Sequence, residues 1–165
     1  MGQVSEVEHT LRHRRSAMKL ILPESASNRV ALSRFEREVQ AMASLSHWNT
    51  VRIFDYGGSV LGSFYYVMEL LDGLTLEELV DRNGPLTPER TTHLPGQTRA
   101  ALEEAHRTGL VHRDLKSPNL MTTSVAGIQD VIKVVDFGLV RVNDPVLFRH
   151  RRTTHQSAGE SMRWF

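Results

Sequence analysis

His112-Arg113-Asp114-Leu115-Lys116-Ser117-Pro118-Asn119 is the stretch on which the reading of this 165-residue chain turns. Further on, the apolar run Val131-Ile132-Lys133-Val134-Val135 reads as a strand and delivers a second motif, Asp136-Phe137-Gly138. Asp114 or Lys116 taken singly reads as solvated charge on a surface turn, and the D-F-G triplet alone is a weak signal. The constellation, in this order and at this spacing, is not explained that way.

His112, Arg113, Asp114, Leu115 and Asn119 stand where the catalytic loop of protein kinases has H, R, D, L and N. Such a coincidence is on the order of one in a few million per starting position. With the D-F-G after it, the stretch resembles the active-site floor of eukaryotic-type protein kinases. In-line phosphoryl transfer demands positioning and charge neutralisation more than covalent chemistry. The resemblance therefore implies that Asp114 receives the proton of a substrate hydroxyl. It implies that Asn119 and Asp136 give oxygen ligands to Mg2+, a hard cation, and that Lys116 stabilises charge on the transferred group. A lysine at this place is typical of Ser/Thr kinases, so it favours a protein substrate presenting Ser or Thr over one presenting Tyr.

Upstream, Gln3 to His9 and Ser16 to Leu22 read as two strands of a hairpin around a polar turn. Ala17-Met18-Lys19 in the second resembles the family's V-A-I-K segment, which implies that Ala17 lines the ATP site and Lys19 reaches the α- and β-phosphates. Gly2-Gln3-Val4 supplies the final glycine and valine of the glycine-rich phosphate loop. After Pro23, a helix is expected from about Ser27 to Leu45, with Val30, Phe35, Val39, Met42 and Leu45 on its apolar stripe. Glu38 is assigned the ion pair with Lys19. Glu36 lies about 200° away around the helix at ~100° per residue and is not a candidate.

Val51 to Tyr56 and Phe64 to Met68 read as two more strands flanking Gly57-Gly58. The resemblance puts Met68 at the gatekeeper position and Glu69, Leu70 and Leu71 in the hinge, whose backbone groups would read the adenine edge. Thr75-Leu76-Glu77-Glu78 starts a short helix with a capping box and ends near Gly84-Pro85. Thr87-Pro88 opens the next, which should run to Gly109 and deliver the chain to the catalytic loop. Leu94-Pro95-Gly96 interrupts that pattern, and an interior proline costs roughly 3 kcal/mol, so a kink or a late start is expected.

Composition narrows the rest. Forty per cent hydrophobic and 24% charged residues are ordinary for a globular domain, and a net charge of +1 gives no support to nucleic-acid binding. There is no cysteine, hence no disulfide or thiolate metal site. No apolar run reaches membrane-spanning length, and a cytoplasmic setting is expected. Met1-Gly2 is not a myristoylation signal, because Glu6 stands where Ser or Thr is wanted. The clusters Arg12-His13-Arg14-Arg15 and Arg149-His150-Arg151-Arg152 read as solvated loop charge. The pairs His106…His112 and His150…His155 lack the partners a zinc site needs.

The resemblance covers Gly2 to about Arg141, and its motifs occur in the family's order. It implies an α+β, two-lobed kinase fold with ATP in the cleft, residues 1–69 giving a partial first lobe and 70–165 a partial second. Three departures stand out. Ser117-Pro118 inverts a common order, most of the glycine-rich loop would lie before Met1, and no A-P-E follows the D-F-G. Ala158 to Phe165 matches nothing in the family. The expectation is a kinase fragment, closest to bacterial eukaryotic-like Ser/Thr kinases, inactive alone and exposing apolar surface where later helices would pack. Two other classes are a non-catalytic binding remnant and a small-metabolite kinase; Lys116 and the close H-R-D-L match argue against the second. Arg113 is expected to pair with phosphate on Thr153 or Thr154.

Overall fold

A computed structural model describes residues 2–21, 29–58, 63–137 and 162–164. Two antiparallel hairpin systems share one apolar core. β1 (Gly2–His9) and β2 (Arg14–Ile21) form the first hairpin. Its turn is closed by the His13 N–H on the His9 carbonyl (2.8 Å), with His13 at a φ of 48°. α1 (Arg29–Ala43) follows, then β3 (Ile53–Gly58) and β4 (Phe64–Glu69). Leu22 and Ser27, the expected ends of the second strand and the helix, lie outside the described residues. Val39, Met42 and Leu45 are buried, as the stripe requires; the side chains of Val30 and Phe35 also lie outside what is described.

The first sheet has the order β3-β4-β2-β1-β8, where β8 is Met162–Trp164. β8 runs parallel to β1 and pairs with Val7, Glu8 and His9 alone. Nothing in the sequence pattern of Ala158 to Phe165 points to this strand. The second sheet has the order β5-β6-β7, with β5 at Gly73–Thr75, β6 at Leu120–Val125 and β7 at Ile128–Val134. Gly73 has no alternative there, since a Cβ would sit 2.0 Å from the Thr122 carbonyl oxygen.

Two helices build the frame around the second sheet. α2 (Leu76–Asn83) has its capping box, the Glu78 N–H donating to Thr75 Oγ1 at 3.1 Å and the Thr75 N–H to Glu78 Oε2 at 2.9 Å. α3 (Pro88–Arg107) starts at Thr87 as expected. It runs without interruption across Pro95, so the expected late start does not occur. Pro95, Gly96 and Thr91, whose carbonyl loses its helical partner to the proline, all lie on the exposed side, where water can replace the missing donor. The opposite face, Leu94, Thr98, Ala101 and Ala105, is buried.

The segment after α1 is tied to the second sheet and to α3 by a buried polar knot. Asn49 Nδ2 donates to Gln97 Oε1 (2.8 Å) and to the Ile132 carbonyl (2.7 Å), while the Ile132 N–H donates to the same Gln97 oxygen (3.0 Å). The Val134 N–H donates to the Asn49 carbonyl (2.7 Å). These bonds pin the segment after α1 to α3 and β7. On an adjoining face of α3 lies an open, mostly apolar groove of about 740 Å³, lined by Leu76, Pro95, Leu102, Leu115 and Leu120 among others. Among the described residues no helix is long and apolar enough to cross a membrane.

Candidate active site

Strand register sets the upper wall of the site. On β2 and β4, Lys19 is directly opposite Tyr66 and Ala17 opposite Met68; on β1, Val4 is opposite Lys19. Directly opposed residues project from the same face, so one face carries Val4, Ala17, Lys19, Tyr66 and Met68. Met68 and Ala17 are buried in the core, whereas Val4 is 53% exposed. Gly2 begins β1 opposite Ile21.

Asp136 meets that face from below. Lys19 Nζ forms an ion pair with Asp136 Oδ1, and Tyr66 Oη donates to the same oxygen at 3.1 Å. Tyr66 is 1% exposed. Its burial, and then the negative Asp136 beside it, raise the phenol well above the ordinary tyrosine range, so it remains a proton donor.

The stretch of residues 112–119 forms the floor. Asn119 Nδ2 donates to the Asp114 carbonyl (2.8 Å) and, at 3.3 Å, to Asp114 Oδ2. Lys116 Nζ pairs with Asp114 Oδ2 at 2.8 Å. The Val135 N–H donates to the Asn119 carbonyl (3.0 Å), which ties the loop to the end of β7. His112 Nε2 donates to the Val135 carbonyl (3.0 Å), and its ring packs on Phe137 with centroids 4.7 Å apart. Burial lowers the pKa of His112, more than its bond to Val135 and the nearby carboxylates raise it, so the ring is neutral. Arg113 and Asp136 hold φ angles of 61° and 56°. Such left-handed conformations are costly for non-glycine residues and collect at functional sites.

One expected pairing is replaced. Lys19 and Glu38 do not pair; Arg113 Nη1 donates to Glu38 Oε1 at 2.9 Å, while Lys19 holds Asp136. The left-handed backbone at Arg113 brings its planar fork to α1, and a guanidinium suits a carboxylate there. Asp136, presented beneath the β2–β4 face, takes the ammonium. Thr153 and Thr154, the expected phosphate carriers for Arg113, lie outside the described residues, as does Gly138.

The segment expected to form the hinge is fastened at Glu69. Its N–H donates to the Arg52 carbonyl (2.9 Å), and its Oε1 accepts from the Arg52 N–H (2.9 Å) and from Lys133 Nζ (2.7 Å). Lys133 is 8% exposed, so this is a nearly buried charge with its partner in place. Leu71 packs partly against the core, and Leu70 is exposed.

Three participants escaped the sequence reading. Tyr66 stands two residues before Met68, and strand alternation puts both on one face, a signal that was present. Lys133 interrupts an apolar run, and a lysine in such a place needs a partner; the run does not say which. The knot of Asn49 and Gln97 left no local signal.

The donor set suits a hard divalent cation. Asn119 spends its amide nitrogen on Asp114, leaving its oxygen, and both described donors to Asp136 sit on Oδ1, leaving Oδ2.

Comparisons with known proteins agree with this geometry. The pattern of the protein kinase domain matches residues 1–156. The chain is similar to the serine/threonine-protein kinase PknD of Mycobacterium tuberculosis, 40% identical over 148 residues that cover 89% of this chain and 22% of that protein. It is similar to PrkC of Bacillus subtilis, 33% identical over 150 residues, 91% of this chain and 22% of that protein. Among solved structures, the PknI kinase domain of Mycobacterium tuberculosis superimposes with a TM-score of 0.69 at 30% identity, covering 86% of this chain and 56% of that one. Rad53 1–466 in complex with AMP-PNP gives 0.73 at 25% identity, covering 84% and 35%. The chain thus spans about a fifth of the length of the curated relatives it matches. With catalytic loop, D-F-G aspartate and strand lysine gathered at one site, and the family pattern running across it, the chain belongs to the protein kinase domain family.

Proposed function

We propose that this chain forms the nucleotide site and catalytic floor of a cytoplasmic serine/threonine protein kinase. The carrying observation is that Lys19 and Asp136, far apart in sequence, form an ion pair beside the Asp114–Lys116–Asn119 cluster. Residues 1–69 act as the upper lobe and residues from 70 onward contribute the lower, except that Met162–Trp164 adds a strand to the upper sheet. ATP lies under the face of Gly2, Val4, Ala17 and Lys19, its adenine edge read by the backbone of Glu69 to Leu71 beside Met68.

The side chains divide the work. Lys19 neutralises phosphate charge, a reading that its contact with Asp136 supports. Asn119 and Asp136 would hold Mg2+, which supplies charge neutralisation on the phosphates when bound. Asp114 orients a Ser or Thr hydroxyl of a protein substrate and accepts its proton. Lys116 steadies the negative charge of the transferred group, a reading that its pairing with that carboxylate supports. Glu38 belongs to the site through Arg113; an exchange of Glu38 from Arg113 to Lys19 would complete the phosphate grip.

The test is a nucleotide thermal shift with and without Mg2+, on the unmodified chain and two variants. The unmodified chain is expected to be stabilised by Mg·ATP. Asp136→Asn should lose most of that shift, and Asp114→Asn should keep it, because Asp114 faces the hydroxyl and not the nucleotide. Loss of nucleotide binding in Asp114→Asn alone, or no shift in the unmodified chain, would contradict the assignment.

A further inference from the structure

Tyr66 has no role in the reading above, yet it is the buried neutral side chain in direct contact with Asp136. Three facts bear on it. The hydroxyl donates to Asp136 Oδ1 at 3.1 Å from a ring that is 1% exposed. Lys19, opposite Tyr66 in the β2–β4 register, engages the same oxygen. Asp136 itself sits at a φ of 56°, a conformation its own backbone does not favour and which its surroundings must impose.

We propose that Tyr66 is a positioning residue for the metal-binding carboxylate, fixing Asp136 through one oxygen so that the other is presented to the divalent cation that accompanies ATP. This rests on the phosphotransfer reading given above. A carboxylate on two rotatable bonds presents either oxygen; two donors converging on Oδ1 from neighbouring strands remove that freedom. Lys19 alone does not suffice for this, since the same ammonium is the group that would turn to the phosphates. The phenol has no such second duty and stays with Asp136 when Lys19 moves. A phenylalanine at position 66 would fill the same core volume and leave Oδ1 with Lys19 as its sole described donor.

The experiment is a set of titrations on the full chain with AMP-PNP at a series of Mg2+ concentrations, comparing unmodified protein with Tyr66→Phe. Expected is an apparent Mg2+ requirement raised about 3- to 10-fold, in the range set by one lost hydrogen bond of ordinary net strength. Affinity for AMP-PNP without metal should be unchanged. An unchanged Mg2+ dependence in folded Tyr66→Phe overturns the proposal, and so does an equal loss of metal-free binding, which would make Tyr66 a general support of the pocket. No nucleotide binding by the unmodified chain at any Mg2+ concentration would instead overturn the phosphotransfer reading, and this proposal with it. A second measurement needs no variant. The chain has three tyrosines, and with ring-carbon labelling the Tyr66 Cζ resonance should shift when Mg2+ is added to the AMP-PNP complex. A Tyr66 signal indifferent to Mg2+ would sink the idea even if Tyr66→Phe failed to fold.

Discussion

His112 shows how one side chain couples the site to stability. Its neutral ring bonds the Val135 carbonyl and packs on Phe137, and burial lowers its pKa below the ordinary 6.5. The unfolded chain therefore binds this proton more readily than the folded one. Stability should fall as pH drops through about 6.5 and toward the lowered folded value, and be indifferent to this group above that range. In His112→Gln the slope of melting temperature against pH below 6.5 should flatten relative to the unmodified chain. Identical slopes would show that His112 is not the group responsible. Asp136, Asp114, Asn119 and Lys116 were all legible from the sequence because a motif fixes type and spacing together. The partner of Glu38 was not, because a carboxylate suits a lysine and an arginine alike, and the left-handed backbone that accompanies the Arg113 contact is not written in local sequence.

At the level of elements, local chemistry was the most readable part. The capping box at Thr75 and the Thr87-Pro88 helix start fell where side-chain hydrogen bonding to free N–H groups dictates. Pro95 misled because its cost depends on which side of α3 it faces, and the lost bond points outward. The β6–β7 hairpin offers a test of local strain. Its two turn residues, Ala126 and Gly127, have φ angles of 51° and 82°, the left-handed pair that two-residue hairpins favour. Alanine pays a steric cost there that asparagine largely avoids. Ala126→Asn is expected to stabilise the chain by roughly 0.5–1 kcal/mol, read from chemical denaturation at constant slope. A loss of stability would mean that the Ala126 side chain makes a contact that outweighs its backbone.

For the molecule as a whole, the groove beside α3 is an open, mostly apolar surface among the described residues. Leu102, Leu115, Leu120 and Leu76 line about 740 Å³ of open space, and patches of this kind favour dye binding and self-association. The chain should enhance the fluorescence of an anionic hydrophobic dye and sediment as a concentration-dependent mixture. Leu102→Lys should reduce both without changing nucleotide affinity. A monodisperse chain that leaves the dye dark would show that the groove is closed in solution. The overall architecture was readable because the motifs name a fold. The tie of the segment after α1 to α3 and β7 through Asn49 and Gln97 was not, since each is an ordinary polar residue until the fold brings them together.

The short strand β8 has a consequence for the order of events in folding. Its pairing with Val7–His9 joins segments separated by every other strand and helix of the chain. Such a contact forms only after the intervening chain has been drawn in, and a three-residue parallel ladder returns little for that loss of chain entropy. The outward backbone groups of β1 therefore stay open through most of folding, and toward Gly2, beyond Val7–His9, no described strand pairs with them afterwards. An unoccupied strand edge of this kind accepts any extended segment that arrives first. Speed of closure, more than final stability, decides whether that segment belongs to the same molecule.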